Sequence, residues 1–121
     1  MAIKKILIVD DSPADRQFMV ETLAKQGYQC VTAAGGDEGI AKSKSEKPDL
    51  VLMDVVMPGT NGYQATRTIT HDEATKHIPV IIVTGKDQET DRIWGLRQGA
   101  KDYVTKPIDA GELLSKIAAI G

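Results

Sequence analysis

The 121-residue chain is 41% hydrophobic and 26% charged, and its net charge is −2 at pH 7. A chain of this size holds one hydrophobic core, so we expect a single domain over residues 1–121 with no appended output domain. The slight negative charge, the lone cysteine and the lack of a long apolar run argue against nucleic-acid binding, disulfides, a Cys-based zinc site, a signal peptide and membrane insertion. We therefore expect a cytoplasmic protein.

Short apolar segments, each about as long as a β-strand, recur along the chain. Three of them are unbroken and rich in β-branched residues, which is typical of strands that are buried on both faces. Two weaker segments complete the set. In chain order the predicted strands are Ile6–Val9, Cys30–Ala33, Leu50–Met53, Val80–Val83 and Asp102–Thr105.

Helix signals lie between these strands. Ser12 followed by Pro13 is typical of an N-cap and a first turn, and Gly27 is a candidate C-cap for the same helix. Gly39 is expected to weaken the second helix. Because right-handed crossovers join parallel strands, the alternation predicts an α/β fold, a doubly wound five-stranded parallel sheet with helices on both faces. The remaining predicted helices are Glu38–Ser45, Tyr63–Thr70, Glu89–Gln98 and Asp109–Ile120.

Polar residues follow four of the predicted strands. They are Asp10 and Asp11 after the first strand, Asp54 after the third, Thr84 at the end of the fourth and Lys106 after the fifth. In a doubly wound sheet, ligands bind beyond the carboxyl ends of the strands. We therefore expect three carboxylates, a hydroxyl and an ammonium to meet at one edge of the sheet.

Three carboxylates about 5 Å apart repel one another by roughly 3 kcal/mol per pair at an effective dielectric constant near 20. Such a cluster stays ionised only beside cations. Lys106 supplies one cation, and a hard ion such as Mg²⁺ supplies another, with Mn²⁺ as an alternative. A carboxylate at the centre of the cluster can attack phosphorus and form an aspartyl phosphate.

The segments ILIVDDS, LVLMDVVMPGTNG, PVIIVTG and GAKDYVTKP occur in this order, each at the end of a predicted strand. Together they resemble the receiver domain of two-component response regulators, the CheY-like family. The resemblance extends from Ile3 to Ile120. It implies the flavodoxin-like (βα)5 receiver fold with strand order 2-1-3-4-5.

The resemblance also implies a role for each acidic residue. Asp54 matches the phosphoacceptor of the family. Asp11, Asp54 and the backbone carbonyl of Val56 match the direct ligands of Mg²⁺, and Asp10 matches a ligand that acts through water. A histidine kinase similar to CheA is the implied phosphodonor.

Further matches concern the residues that respond to the phosphoryl group. Lys106 matches the lysine that assists phosphoryl transfer, and the bond between Lys106 and Pro107 is expected to be cis. Thr84 matches the switch hydroxyl. Tyr103 matches the switch aromatic residue, which is expected to rotate inward when Thr84 turns toward the phosphoryl group.

The surface of the fourth helix, fifth strand and fifth helix is expected to contact partners. Its candidate residues are Asp87, Arg92, Trp94 and Tyr103, although Trp94 could equally lie at the edge of the core. A downstream motor or regulatory protein would bind this face. The protein itself is expected to be a monomer.

A narrower resemblance rests on VVMPGTNGYQATR, VTGKDQETD and GLRQGAKDYVTKP, between Val55 and Pro107. These segments are similar to the stand-alone PilH-type receivers of type IV pilus chemosensory systems. The implied process is twitching or a related, chemotaxis-like motility.

Two other classes of function stay open at this stage. A Mg²⁺-dependent phosphohydrolase with an aspartyl nucleophile would use a similar cluster, but it usually has a D-x-D pair after one strand and a cap over its substrate. A protein-interaction module that is never phosphorylated is the second alternative, in which Asp10 and Asp11 only cap a helix and Tyr103 only packs. The leading interpretation is not an enzyme, since phosphotransfer and dephosphorylation concern its own Asp54.

Overall fold

The computed structural model describes residues 3–120, within which five strands alternate with five helices. The predicted α/β fold is confirmed. Residues 1, 2 and 121 of the predicted domain lie outside the described residues. The strands are β1 (Lys5–Val9), β2 (Gln29–Ala33), β3 (Leu50–Met53), β4 (Val80–Thr84) and β5 (Asp102–Thr105). The helices are α1 (Pro13–Ala24), α2 (Gly36–Ser45), α3 (Gly62–His71), α4 (Glu89–Arg97) and α5 (Ala110–Ile120).

The five strands form one parallel sheet in the order β2-β1-β3-β4-β5, as predicted. β1 lies between β2 and β3, so that Val9 pairs with Ala33 on one side and with Met53 on the other. At the far edge, Thr84 pairs with Thr105. The carboxyl ends of β1 and β3 are therefore adjacent at the centre of the sheet.

Alternate residues of the strands supply the core on each face of the sheet. Ile6 and Ile8 of β1 belong to the cluster that packs against α1 and α5, which contribute Leu23 and Leu113. The intervening residues belong to the cluster on the opposite face, which includes Ile69 of α3. This two-sided burial explains why the central strands are continuous apolar runs.

Side-chain caps mark the starts of α1 and α3. The Ser12 hydroxyl accepts the Asp15 N–H at 3.3 Å, as the predicted N-cap requires. α3 begins with a capping box between Asn61 and Gln64 that the sequence analysis did not identify. α2 begins at Gly36, two residues before the predicted start at Glu38.

Gly39 lies where α2 passes closest to β1. A Cβ at this position would stand 2.8 and 2.9 Å from the two methyl groups of Val9. The glycine therefore permits close helix–sheet packing, in addition to lowering the intrinsic helix propensity as expected. Every helix within residues 3–120 is too short or too polar to span a bilayer.

Candidate functional site

Three carboxylates meet beyond the carboxyl ends of β1 and β3. One carboxylate oxygen from each of Asp10, Asp11 and Asp54 lies within 4.8 Å of the other two. Asp10 is fully buried and Asp54 is nearly so, whereas Asp11 is exposed. The cluster is thus open to solvent on the side of Asp11.

Backbone hydrogen bonds hold the two buried carboxylates in place. Asp10 Oδ1 accepts the Ser12 N–H at 2.9 Å, and Asp54 Oδ1 accepts the Val55 N–H at 2.7 Å. The Asp54 N–H in turn donates to the Val9 carbonyl at 2.9 Å, which ties the end of β3 to the end of β1. The outer oxygen of each buried carboxylate, Oδ2, faces Lys106.

Lys106 follows β5, an edge strand of the sheet, and brings a positive charge into this cluster. Its Nζ lies 2.8 Å from Asp10 Oδ2, 2.8 Å from Asp15 Oδ2 and 3.4 Å from Asp54 Oδ2. The Lys106 N–H donates to the Thr84 carbonyl at 2.8 Å. The peptide bond between Lys106 and Pro107 is cis.

Asp15 is a member of the site that the sequence analysis did not assign to it. It lies in the first turn of α1. The sequence did contain a signal for this role of Asp15. A helix that starts directly after Asp11 places its first turn over the carboxyl ends of the strands, where the site lies. What the sequence could not show is that Lys106 extends as far as this turn.

The pKa values of Lys106 and Asp10 both depart from their ordinary values. Burial alone would lower the pKa of Lys106, but its hydrogen bonds to Asp10 and Asp15 and the charge of Asp54 raise that pKa above its usual range. The pKa of Asp10 is raised, chiefly by burial and also by the charge of Asp54, against the opposing effects of Lys106 and of the Ser12 N–H. Lys106 therefore remains a cation at every physiological pH.

Thr84 ends β4 beside this cluster in the sheet. Its hydroxyl is buried and has no hydrogen-bond partner among the described residues. Leaving a buried hydroxyl unpaired costs about 1–3 kcal/mol. An acceptor oxygen that binds beside Thr84 would supply the hydrogen-bond partner that this hydroxyl lacks.

Tyr103 of β5 is already buried, with 5% of its surface exposed. Its hydroxyl donates to the Lys86 carbonyl at 2.8 Å, and the neighbouring Tyr63 hydroxyl donates to the Asp91 carbonyl at 3.1 Å. Burial raises the pKa of Tyr103. The inward position that we expected only after phosphorylation is thus occupied in this structure, because the Lys86 carbonyl gives the hydroxyl a partner inside.

The loop between β3 and α3 covers Asp54. The Gly62 N–H donates to the Val55 carbonyl at 3.0 Å, and a Cβ on Gly62 would overlap the Asp54 carbonyl. Val56 lies in this loop with its side chain 58% exposed. Its carbonyl accepts no hydrogen bond within residues 3–120 and is free to bind another group.

The donor set fits a small, hard cation. Asp10, Asp11 and Asp54 supply carboxylate oxygens. Carboxylate oxygens are ligands that Mg²⁺ takes in proteins, usually together with several waters. The acidic group of the structure can therefore hold Mg²⁺.

Three of the four residues expected on the partner face line one groove, and the fourth does not. Asp87, Arg92 and Tyr103 line one groove of about 380 Å³ between α4, β5 and α5. Trp94 does not line it, because two residues along a helix turn its side chain by about 200° from Arg92. Trp94 is 50% exposed on another part of α4.

The comparisons with known proteins agree with this geometry. The chain matches the model of the response regulator receiver domain over residues 6–118. It therefore belongs to the family of response regulator receiver domains, and the predicted resemblance is confirmed.

Individual relatives give a closer view. The chain is 57% identical over 116 residues to Protein PilH of Pseudomonas aeruginosa, and the match covers 96% of each chain. Chemotaxis protein CheY4 of Vibrio cholerae is 30% identical with a TM-score of 0.92, and the match covers 99% of this chain and all of that one.

One further solved structure bears on the acidic cluster. The receiver domain of a sensor histidine kinase from Pseudomonas aeruginosa PAO1 carries a coordinated magnesium ion in its active-site cleft. It is 30% identical to this chain with a TM-score of 0.88, and the match covers 98% of this chain and 97% of that one. The chain is thus a phosphorelay response regulator of the CheY-like type.

Proposed function

We propose that the chain accepts a phosphoryl group on Asp54 from a phosphohistidine of a CheA-like kinase and then changes its protein-binding face. The observation that carries this proposal is the position of Asp54. Its carboxylate lies in one cluster with Asp10 and Asp11, and the ammonium of Lys106 stands 3.4 Å from its Oδ2. A nucleophile, a set of oxygen ligands and a cation are thus present together.

In the transfer step an Asp54 carboxylate oxygen attacks the phosphorus. An O–P bond forms, and the N–P bond to the kinase histidine breaks with its electron pair returning to the imidazole. Negative charge on the three equatorial oxygens increases in the transition state. Lys106 is already held within reach of these oxygens by Asp10 and Asp15, so little reorganisation is required.

Mg²⁺ would be held by Asp11, Asp54 and the Val56 carbonyl, with Asp10 acting through water. When bound, the ion supplies a second positive charge against the phosphoryl oxygens. Asp10 is also the fixed anchor of Lys106, and the hydrogen bond from the Ser12 N–H keeps its carboxylate oriented. Both functions of Asp10 follow from its position between the lysine and the other carboxylates.

Two residues of the adjoining strands convey the change to the surface. The unpartnered Thr84 hydroxyl gains an acceptor when a phosphoryl oxygen arrives. Thr84 ends β4 directly before the segment that leads to α4, so a shift of Thr84 changes the position of that segment. Tyr103 contacts the same segment, because its hydroxyl donates to the Lys86 carbonyl. Asp87 and Arg92 on the adjoining groove are the partner contacts, and Trp94 forms a separate contact on α4.

The biological process is inferred from the relative named PilH and from the narrower sequence resemblance. We infer a stand-alone, monomeric and cytoplasmic regulator of type IV pilus or related chemotaxis-like motility, which consists of a single receiver domain. Its downstream partner is a motor or regulatory protein. The only covalent steps are transfer of the phosphoryl group to Asp54 and hydrolysis of the resulting aspartyl phosphate.

The test is incubation with acetyl phosphate and Mg²⁺, followed by intact-mass measurement and by assay of released phosphate. One phosphoryl group per chain, absent in the Asp54→Asn variant and after chelation of the metal, supports the proposal. Because hydrolysis of the Asp54 phosphate also consumes acetyl phosphate, sustained release of phosphate from an ordinary phosphate monoester such as p-nitrophenyl phosphate is the result that would instead indicate a phosphohydrolase. An unchanged mass under all conditions would indicate an interaction module.

A further inference from the structure

The end of the sheet opposite Asp54 carries a second concave surface. Three adjoining concavities of about 430, 510 and 320 Å³ lie at the amino-terminal ends of β3, β4 and β5. His77 and Ile78 line all three, so the concavities form one extended surface. We call it the basic trough, and its cations are Lys44, Lys47, Lys76, Arg97 and Lys101.

The charge of the basic trough is opposite in sign to that of the whole chain. Five permanent cations line it, and Asp49 is the one carboxylate among the described lining residues. This carboxylate is engaged, because its Oδ2 accepts the N–H groups of Lys4 and Lys5 at 2.9 and 3.0 Å. The chain carries a net charge of −2, so positive charge is concentrated at this end.

Three of the five cations are available to a ligand. Lys44 pairs with Asp72 at 3.1 Å and Lys76 pairs with Glu73 at 2.9 Å. The exposed Lys47, Arg97 and Lys101 form no ion pair with any residue between 3 and 120.

Lys47 also has an unusual backbone conformation. Its φ of 49° lies in the left-handed region, where glycine or asparagine is less strained than lysine. A lysine thus occupies a position where the backbone favours glycine or asparagine. A function for the charge of Lys47 is consistent with this residue type.

The shape of the basic trough favours a peptide. It is extended, and the partly exposed Ile3, Pro79 and Ile120 give it an apolar part that a simple ion would not need. A short extended segment can follow a concave surface, which the flat surface of a bilayer cannot.

We propose that the basic trough binds a short acidic segment of a partner protein. Its carboxylates contact Lys47, Arg97 and Lys101, and an apolar side chain lies on Pro79. Because the basic trough is at the opposite end of the sheet from Asp54, the segment can stay bound while a kinase or a target contacts the phosphoryl site.

The test uses a fluorescein-labelled peptide of alternating glutamate and leucine and measures its fluorescence anisotropy at low salt. The double variant Lys47→Glu/Lys101→Glu places negative charge against the peptide, so we expect binding at least about tenfold weaker than that of the wild type. The matched control is Lys86→Glu, which reverses an exposed lysine at the opposite end of the sheet and should leave the affinity within about twofold.

Equal binding by the double variant, or no binding by the wild type, would overturn the proposal. Stronger binding to phosphatidylglycerol vesicles than to the peptide would assign the basic trough to a membrane instead. Melting curves verify that each variant is folded, and Lys47→Gln/Lys101→Gln repeats the test with a smaller perturbation. Asp54→Asn should bind the peptide as the wild type does, which separates this proposal from phosphorylation.

Discussion

At the scale of single residues, two buried polar groups of the site differ in how they are satisfied. Lys106 contacts three carboxylates, so its charge is fully compensated. The Thr84 hydroxyl lies one strand away and has no partner among the described residues. In the unphosphorylated site, the ammonium of Lys106 therefore has its ionic partners, whereas the hydroxyl of Thr84 lacks a hydrogen-bond partner among the described residues.

This difference predicts the effect of removing the Thr84 hydroxyl. Thr84→Val keeps the shape and deletes the unpaired group, so it should leave the free energy of unfolding unchanged or raise it by about 1 kcal/mol. Thr75→Val is the matched control, because the equally buried Thr75 hydroxyl donates to the Ile69 carbonyl at 2.7 Å. Its loss should cost about 1–3 kcal/mol. Urea denaturation measures both, and a Thr84→Val variant as unstable as Thr75→Val would show that Thr84 has a partner in solution.

Asp15 gives a second prediction at this scale. Its side chain is 39% exposed, so its ion pair with Lys106 is partly screened. Asp15→Asn should lower the free energy of unfolding by less than about 1 kcal/mol. Phosphoryl uptake should persist, because Asp10 and Asp54 still hold Lys106.

The control for Asp15 is Glu21→Gln, which removes a carboxylate of the same helix that contacts Gln17 and not Lys106. Chemical denaturation and the rate of phosphorylation by acetyl phosphate compare the two variants. Complete loss of uptake in Asp15→Asn would mean that the position of Lys106 depends on Asp15.

At the scale of elements, the distance between helix and sheet depends on a few small residues. α2 lies against β1 at Gly39, where two methyl groups of Val9 leave no room for a Cβ. The local sequence pattern predicted the low helix propensity of Gly39 but not this role, because the distance between a helix and a sheet is not visible in a local pattern. By contrast, strand positions were well predicted, since burial on both faces leaves an unbroken apolar run.

Gly39→Ala should therefore destabilise the protein although alanine is the better helix former. Overpacking costs about 1–3 kcal/mol and exceeds the gain of about 1 kcal/mol in propensity. Gly111→Ala is the matched control in α5, where the nearest atom to the added Cβ is the flexible Asp109 carboxylate at 3.3 Å. Thermal unfolding should show a lower Tm for the first variant and an equal or higher Tm for the second. A rise in Tm for Gly39→Ala would contradict the close packing.

The segment before α4 illustrates what sequence alone could not provide. The type of residue at Thr84 and Tyr103 indicated a switch, but the side-chain position of Tyr103 depends on a hydrogen bond to a backbone carbonyl. The grouping of Asp87 with Arg92, without Trp94, likewise follows from the helical turn and not from proximity in sequence. Residue identity predicted the chemistry, and three-dimensional packing determined which residues share a surface.

At the scale of the whole molecule, acidic and basic groups are separated between the two ends of the sheet. The phosphoryl end contains Asp10, Asp11 and Asp54, and the other end contains the basic trough. The strand order accounts for the first group, since β1 and β3 are neighbours and both end in aspartate. The second group comes from the last turns of α2 and α4, which hold Lys44 and Arg97, and from the segments between elements, which hold Lys47, Lys76 and Lys101.

Folding also depends on carboxylates outside the site, which makes stability sensitive to acid. Hydrogen bonds from the N–H groups of Lys5 and Lys4 lower the pKa of Asp49 below its ordinary value of 3.8. A pKa that is lower in the folded state adds stability above the unfolded value, and this stability is lost as the pH falls through the folded value. Asp49→Asn should thus be less stable than the wild type at pH 7.

The difference in Tm between wild type and Asp49→Asn should shrink as the pH falls below about 3.8. Asp87→Asn serves as the control, because the Asp87 carboxylate makes no hydrogen bond within residues 3–120. Melting temperatures from pH 7 down to strong acid measure the effect. A constant difference across this range would contradict the contribution of Asp49.

The central claim is that Asp54 is the phosphoacceptor, and mapping the acyl phosphate tests it most directly. The wild type is phosphorylated by acetyl phosphate with Mg²⁺, reduced with borohydride to convert the aspartyl phosphate to homoserine, and digested for mass spectrometry. We expect the modification at Asp54, and none in a folded Asp54→Asn variant. Homoserine at Asp10, Asp11 or another residue, at equal yield in Asp54→Asn, would contradict the assignment.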